Sequence, residues 1–302
     1  MTKFKLWMFA AITFCGTSLD VNAQDETPQV YFELNQLPKL IDIMPAPPAF
    51  ESPEFANDIV RYCWGKQQRL DEGRVTQAIA DAEWEDHAKL YALWKDAFGL
   101  EITENGTPEI WKLMETSLAT TDPMRKETKA FYHRQRPFER FNEAMPSYEE
   151  EELRGEGSYP SGHSMRGWCI SLLLAQIAPC RANEIYRRGW DYCDSRVIVG
   201  AHWQSDVDNS RTAASIGFCA LQGSETFITQ MRKAQIEYNE KISQIGINNA
   251  IIIQHPASHT HVPQTQYCPH EFSVDTDKTR STPTLFRSGS AGGNMIICYI
   301  LL

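Results

Sequence analysis

The sequence lacks a long apolar run. After residue 23, no stretch reaches the ~20 consecutive apolar residues that a membrane-spanning helix needs. The sequence also lacks an excess of basic residues, because 29 Lys and Arg stand against 39 Asp and Glu, a formal net charge of −10 at pH 7. Nucleic acids and anionic membrane surfaces bind proteins that present a positively charged surface. We therefore predict that the protein binds neither of them, and that any anionic ligand is held by a local basic pocket.

The eight cysteines include no Cys-x-x-Cys pair, the spacing typical of many zinc and redox sites. Cys15 belongs to the N-terminal segment that we expect to be removed. Seven cysteines remain, an odd number, so at least one is free or pairs between chains. Cys169, Cys193 and Cys219 fall within apolar helical patterns, which predicts buried free thiols.

The N-terminus has the pattern of a cleaved signal peptide. Lys3 and Lys5 precede an apolar stretch over residues 6–19, and residues 21–23 are Val-Asn-Ala, which a signal peptidase can read. A membrane anchor is the alternative, but the stretch is shorter than ~20 residues and polar or small residues interrupt it. We predict that residues 1–23 are removed and that the mature protein is periplasmic or secreted.

Proline content and periodicity divide the mature chain into three segments. Residues 24–53 are acidic and Pro-rich, and should lie extended against the remainder of the protein. Residues 54–245 place apolar residues three and four apart and show no convincing strand pattern. Residues 88–98 form one apolar helical face, and Thr107-Pro108 caps the start of another. The sequence therefore predicts an all-α domain.

The C-terminal residues 246–302 lack periodicity and are rich in Pro, Thr, Ser, Gln and Gly. We expect a disordered extension, since such a composition buries little apolar surface. The segment contains several residues that could ligate a metal: His255, His259, His261, Cys268 and His270. Their spacing fits no compact tetrahedral site. We predict neither a metal nor a cofactor.

Three short motifs contain the residues best suited to catalysis or ligand binding. They are Lys129 with Arg136-Pro137, then Pro160-Ser161-Gly162-His163, and then Ser195-Arg196 with His202 and Asp206. Together they supply three cations, two imidazoles and one carboxylate. Such a set can bind a phosphate and transfer it without a metal, because cations and backbone N–H groups stabilise the phosphoryl oxygens.

The second motif lies at the predicted start of a helix. Apolar residues between Met165 and Gln176 follow a helical rhythm, which Pro179 ends. A helix N-terminus presents unpaired N–H groups and a partial positive charge, and a glycine lets the backbone approach an anion closely. The pattern favours a phosphate-binding helix start, although an ordinary helix cap with a buried core histidine has the same local sequence.

The other two motifs depend on residue spacing. Lys129 and Arg136 are two helical turns apart, with about 10 Å of rise between them if the segment is helical, and Pro137 predicts that the helix ends at Arg136. His202 and Asp206 are four residues apart. On a helix, the carboxylate can therefore hold one ring nitrogen and leave the other free to react.

Taken together, the three motifs resemble the three-part signature of the type 2 phosphatidic acid phosphatase and vanadium haloperoxidase superfamily. Residues 157–164, Gly-Ser-Tyr-Pro-Ser-Gly-His-Ser, are similar to the narrower signature of bacterial class A non-specific acid phosphatases. That signature usually has threonine where this chain has Ser164, and serine keeps the hydroxyl group. The similarity covers residues 38–245.

The resemblance implies a helical bundle that hydrolyses phosphomonoesters without a metal. The residue at His202 would attack phosphorus and form a phosphohistidine, with Asp206 orienting it, while His163 would protonate the leaving group and then activate water. The phosphoryl oxygens would be held by the remaining motif groups: Lys129, Arg136, Arg196, Ser161 and the backbone of Gly162. The family also implies a periplasmic location, small phosphomonoesters and inorganic phosphate as ligands, and homo-oligomers.

Three rival functions share parts of this pattern. A membrane lipid phosphatase needs several spanning helices, which the sequence lacks. A vanadium-dependent haloperoxidase would hold vanadate in the same pocket, and a bromination assay with added vanadate would identify it. A non-catalytic phosphate-binding protein would need the cations but not two differently placed histidines, so the presence of both histidines favours turnover.

Overall fold

The computed structural model describes residues 29–254, and all regular secondary structure in this range is helical. The α-helices are α1 (Leu40–Ile43), α2 (Phe55–Gln68), α3 (Glu72–Ala80), α4 (His87–Ala92), α5 (Lys95–Phe98), α6 (Pro108–Thr121), α7 (Arg125–Tyr132), α8 (Pro137–Phe141), α9 (Glu150–Leu153), α10 (Gly162–Ile177), α11 (Ala182–Ile198), α12 (Gln204–Leu221) and α13 (Glu225–Gln254). Short 3-10 helices span Leu34–Gln36, Asp122–Met124 and Pro179–Arg181. The prediction of an all-α domain is confirmed.

The helix α10 lies at the centre of the core. It packs against α11 and α12, while α6 and α13 pack against each other and also contact α10. Most of its residues are buried, as expected of a helix whose apolar residues are not confined to one face. Gly167 allows α11 to approach, because a Cβ atom there would lie 2.2 Å from Cδ1 of Tyr192. The helix α10 is therefore held in place by close packing against its neighbours.

The segment over residues 88–98, predicted as one helical face, forms the two helices α4 and α5. The carbonyl oxygen of Leu93 accepts a 2.8 Å hydrogen bond from Nε of Arg188. Next to it, the indole N–H of Trp94 donates to Oγ of Ser171 at 3.1 Å. The apolar face that the sequence predicts is thus divided between two helices, and contacts with α10 and α11 lie at the break between them.

The Pro-rich segment lies against residues next to the first two motifs. The carbonyl oxygen of Pro45 accepts a 2.5 Å hydrogen bond from the hydroxyl of Tyr159, and that of Pro48 accepts one from Nη2 of Arg134 at 3.4 Å. Residues 44–54 contain no helix. The segment therefore covers one side of the domain next to the first two motifs.

The helix α13 continues to Gln254, whereas the sequence predicts that helical periodicity stops near residue 245. The predicted signal peptide and the tail residues with ligating side chains lie outside the described residues. Over residues 29–254, no helix combines the length and the apolar character needed to cross a bilayer.

The cysteines follow the prediction in part. Cys169 and Cys193 are buried free thiols, as expected. Cys219 is free but exposed, so the prediction that it is buried is wrong. It lies on α12 between Gly217 and Leu221, which are buried, and faces away from the core that these two residues contact.

Candidate active site

A cavity of about 220 Å³ lies at the N-terminal end of α10. Five of the predicted site residues line it: Lys129, Arg136, Gly162, His163 and His202. Three more are fully buried and do not line it: Ser161, Arg196 and Asp206. The remaining lining residues are Trp84, Arg125, Glu152, Leu153, Glu156 and Arg166. The fold thus brings residues of all three motifs to one cavity.

Lys129 and Arg136 both reach the cavity, although they do not share a helix. The helix α7 ends at Tyr132, and His133 follows in the left-handed region, with φ 38° and ψ 45°. Arg136 is extended, with φ −75° and ψ 155°, as the following Pro137 favours. The predicted helix running to Arg136 is therefore wrong, and a loop brings the two cations to the cavity.

The helix α10 begins at Gly162, as its periodicity predicts, and Ser161 is the N-cap residue. Oγ of Ser161 accepts a 3.3 Å hydrogen bond from the N–H of Ser164, which stabilises the helix start. A Cβ atom at Gly162 would lie 2.9 Å from Nε of Arg125. The glycine therefore lets Arg125 approach the helix start, where the guanidinium and the free N–H groups together favour an anion.

The two ring nitrogens of His202 have different surroundings. Nε2 lies 3.1 Å from Nη1 of Arg136. A guanidinium group only donates hydrogen bonds, so Nε2 is the acceptor and carries a lone pair instead of a proton. Nδ1 then holds the proton of the neutral ring, and it lies 3.6 Å from Oδ2 of Asp206. The carboxylate thus faces the protonated nitrogen, at a distance slightly too long for a hydrogen bond.

Asp206 is held by a buried network that the sequence analysis missed. Its Oδ2 accepts from the N–H of Trp203 at 2.9 Å, and its Oδ1 accepts from Nη1 of Arg134 at 2.6 Å. Arg134 also donates to Oδ2 of Asp58 at 2.8 Å. Asp58 in turn accepts from the N–H and the hydroxyl of Ser205, at 2.7 and 2.6 Å. The network fixes the position of the carboxylate behind His202.

Arg196 and His163 share a partner that the sequence analysis also missed. Nη1 and Nη2 of Arg196 donate to the two carboxylate oxygens of Glu149, at 3.0 and 2.9 Å. Nε2 of His163 lies 3.4 Å from the same carboxylate and 3.1 Å from the carbonyl oxygen of Ala82. Because a carbonyl only accepts, Nε2 carries a proton, and Nδ1 is the nitrogen that can gain or lose one.

The cavity disfavours further positive charge. Burial, together with the charge of Arg136, lowers the pKa of Lys129 to about 7. Burial and then the Arg136 charge lower the pKa of His202 well below its usual value, and burial and then the Arg196 charge do the same for His163. All three shifts have the sign expected where cations are crowded away from water. A bound anion would relieve this crowding.

Among residues 29–246, whose side chains are described, no group of three or more His, Cys, Asp or Glu side chains is arranged to hold a metal ion. Two carboxylates, those of Glu152 and Glu156, face the cavity, and they are outnumbered by guanidinium, ammonium and imidazole side chains and the start of α10. Such groups suit a ligand with the charge and the oxygen atoms of a phosphate.

Comparison with known proteins agrees with this chemistry. The PAP2 superfamily profile matches residues 114–222, the stretch that contains every predicted site residue. A non-specific acid phosphatase of Salmonella typhi is 37% identical over 202 residues, 66% of this chain and 79% of that protein. Another, of Providencia stuartii, is 35% identical over 244 residues, 78% of this chain and 98% of that protein. This chain belongs to the PAP2 superfamily.

The similarity to these relatives shows that the protein is a bacterial PAP2-type acid phosphatase, which is a phosphoric monoester hydrolase. An acid phosphatase of Zymomonas mobilis is also similar, at 30% identity over 234 residues, 76% of this chain and 86% of that protein. The predicted family and enzyme class are confirmed. A crystal structure of a transmembrane PAP2 type phosphatidylglycerolphosphate phosphatase from Bacillus subtilis matches 56% of this chain and 92% of that chain, at 17% identity and a TM-score of 0.31. That likeness is too low to bear on the site.

Proposed function

We propose that this PAP2-type acid phosphatase hydrolyses small phosphomonoesters through a phosphohistidine on His202, without a metal ion. The observation that carries the proposal is the 3.1 Å contact between Nη1 of Arg136 and Nε2 of His202. In this contact Nε2 is the unprotonated nitrogen and accepts from the guanidinium, so its lone pair turns to phosphorus once a phosphoryl oxygen takes over the Arg136 donor. A phosphoryl group held by Arg136 would therefore present its phosphorus to the nucleophile.

In the first step, the phosphoryl oxygens would be held by the cations and the helix start: Lys129, Arg136, Arg196, Ser161 and the N–H of Gly162. Nε2 of His202 attacks phosphorus, and the bond to the leaving oxygen breaks. That oxygen takes a proton from Nδ1 of His163. The imidazole of His202 becomes cationic in the phosphoenzyme, and Asp206, close to its Nδ1, stabilises that charge.

The second step reverses these roles. His163, now neutral, accepts a proton from a water molecule, whose oxygen attacks phosphorus. The bond from phosphorus to Nε2 breaks, inorganic phosphate leaves, and His202 returns to its neutral form. The cycle requires His202 to be neutral and His163 to be protonated when the substrate reacts. The negative charge of the bound substrate helps His163 to hold that proton, because it opposes the burial and the Arg196 charge that lower its pKa.

The substrate class, the cellular location and the oligomeric state remain predictions. A cavity of about 220 Å³ suits the phosphoryl group and a small part of the leaving group, which supports small phosphomonoesters as substrates. Export to the periplasm or secretion follows from the N-terminal residues 1–23. Assembly into homo-oligomers follows from the family alone.

The test is to trap the phosphoenzyme and to assay turnover in a chelator. Wild type, incubated with a labelled aryl phosphate and quenched, should carry acid-labile phosphate. His202→Ala should carry none, whereas His163→Ala should still form the intermediate slowly from an ester whose leaving group needs no proton. His87→Ala is the matched control, because His87 contacts Glu115 outside this cavity, and it should behave as wild type.

Two results would contradict the proposal. Labelled phosphate on the His202→Ala variant would show that another residue is the nucleophile. Loss of turnover in a chelator, with recovery on adding a divalent ion, would show that the reaction needs a metal.

A further inference from the structure

Glu149 is a buried member of an acidic run. Residues 149–152 are all glutamate, a pattern typical of a solvated turn. The side chain of Glu149 is nevertheless only 1% exposed, whereas that of Glu151 is 89% exposed. A carboxylate is buried in this way only where positive or hydrogen-bonding partners compensate for the lost water.

The partners of Glu149 belong to the proposed reaction. Oε2 accepts from Nη1 of Arg196 at 3.0 Å and from the hydroxyl of Ser147 at 3.1 Å. Oε1 accepts from Nη2 of Arg196 at 2.9 Å and lies 3.4 Å from Nε2 of His163. A single carboxylate thus contacts both a predicted phosphate-binding cation and the predicted acid–base histidine.

The contact with Arg196 leaves one of its three guanidinium nitrogens without a partner. Both Nη atoms point to Glu149, which fixes the plane of the guanidinium. The remaining nitrogen, Nε, is buried and has no hydrogen-bond partner within the described part of the chain. A buried N–H without an acceptor is costly, and a phosphoryl oxygen would supply that acceptor.

The contact with His163 affects its charge. The carbonyl oxygen of Ala82 and the Glu149 carboxylate both approach Nε2, so this nitrogen keeps its proton. A general acid must carry a second proton, on Nδ1, and the resulting imidazolium is stabilised by a carboxylate nearby. Burial and the charges of Arg196 and Arg166 act in the opposite direction and lower the pKa of His163.

We propose that Glu149 is a positioning residue of the reaction, which orients Arg196 toward the phosphoryl group and stabilises the protonated form of His163. This inference rests on the proposed function, because it takes His163 as the general acid. Glu149 lines no part of the cavity and acts through its two partners. It therefore contributes to leaving-group protonation without touching the substrate.

The variant Glu149→Gln tests this, because it keeps the shape and removes the charge. The readout is kcat/KM for two esters: p-nitrophenyl phosphate, whose leaving group needs no proton, and glycerol 2-phosphate, whose alkoxide does. Any loss caused by Arg196 affects both substrates equally. The ratio of kcat/KM for glycerol 2-phosphate to kcat/KM for p-nitrophenyl phosphate therefore isolates the effect on His163. We expect that ratio to fall at least roughly tenfold, the size typical of a weakened general acid.

Two further variants complete the experiment. Glu151→Gln removes an exposed charge from the same run and should leave both values unchanged. Glu149→Asp keeps the charge but shortens the side chain, so KM should rise while the ratio of the two substrates stays within about threefold of wild type. This variant also tests the proposal if the glutamine variant does not fold. A fall of roughly tenfold or more in the ratio of the two kcat/KM values in Glu149→Asp would overturn the proposal.

Equal losses on the two substrates in Glu149→Gln, or no loss, would also overturn it. The phosphoenzyme separates this failure from that of the proposed function. Wild type that traps phosphate on His202, together with an unchanged ratio in the variant, refutes only the role of Glu149. Wild type that traps no phosphate refutes the underlying mechanism.

Discussion

Replacing Lys129 by arginine should remove one titration from the pH dependence of the enzyme. Burial, followed by the charges of Arg136 and Arg125, lowers the pKa of Lys129 to about 7, while Glu156 and Asp206 partly oppose the shift. The side chain is therefore charged below this pH and loses its charge as the pH rises through it. Arginine stays charged over the whole range, since a guanidinium binds its proton far more strongly.

The size of the effect follows from the pKa of about 7. Lys129 of the free enzyme should be charged in roughly nine-tenths of molecules at pH 6 and in roughly one-tenth at pH 8. If only the charged form binds the phosphoryl group productively, kcat/KM of wild type loses about tenfold over this interval through Lys129 alone. Titration of the substrate and of the histidines adds to the fall in both enzymes.

The assay is kcat/KM for p-nitrophenyl phosphate between pH 5 and 9 at constant ionic strength. The ratio of Lys129→Arg to wild type should rise about tenfold from pH 6 to pH 8, whatever constant loss the longer side chain causes. Lys126→Arg, an exposed lysine on the same helix, is the control and should give a flat ratio. A flat ratio for Lys129→Arg as well would refute the reasoning, because Lys129 would then be charged throughout.

Two further predictions concern the packing around the site. Gly167→Ala should destabilise the protein by about 1–3 kcal/mol in urea unfolding, because its Cβ atom would lie 2.2 Å from a ring of α11, whereas Gly246→Ala, with open space around it, should not destabilise it. Equal unfolding midpoints for the two variants would contradict this. Arg134→Met should cost about 3–5 kcal/mol and lower kcat, because it leaves two buried carboxylates without their cation. Adding Asp58→Asn should restore part of the stability, and no recovery in the double variant would count against the network.

Local sequence signals predicted the central helix well. Ser161 and Gly162 mark the start of α10, and the proline at 179 lies two residues beyond its last residue, so both ends have a local cause. The end of α7 has no such signal. His133 adopts the left-handed conformation, which favours glycine or asparagine, and nothing in its neighbourhood indicates this. At the break after α4, the carbonyl of Leu93 is held by Arg188, which is 95 residues away in the sequence.

The same distinction applies to the candidate site. The motif residues could be recognised because their chemistry and spacing are local. Glu149 is 47 residues from Arg196, and Asp58 is 76 residues from Arg134, so no spacing rule connects either pair. Arg134 offered the one available signal, since it is an additional cation two residues before Arg136. Glu149 offered none, because it is the one buried member of a run of four identical residues, and nothing in the sequence distinguishes it from the half-buried or exposed glutamates beside it.

The positions of the carboxylates explain how so many cations can be buried together and still attract an anion. Asp206 lies behind His202 and Glu149 lies behind Arg196, and neither lines the cavity. From behind, each carboxylate reduces the repulsion among the buried cations without occupying the space that the phosphoryl group needs. Two glutamates do reach the cavity, Glu152 and Glu156, but both are exposed, where water and salt screen their charge. A carboxylate moved from the buried side to the cavity side would compete with the substrate for the same guanidinium groups. The separation of the two sides is therefore the property that makes this crowded set of charges suitable for binding a phosphate and releasing it again.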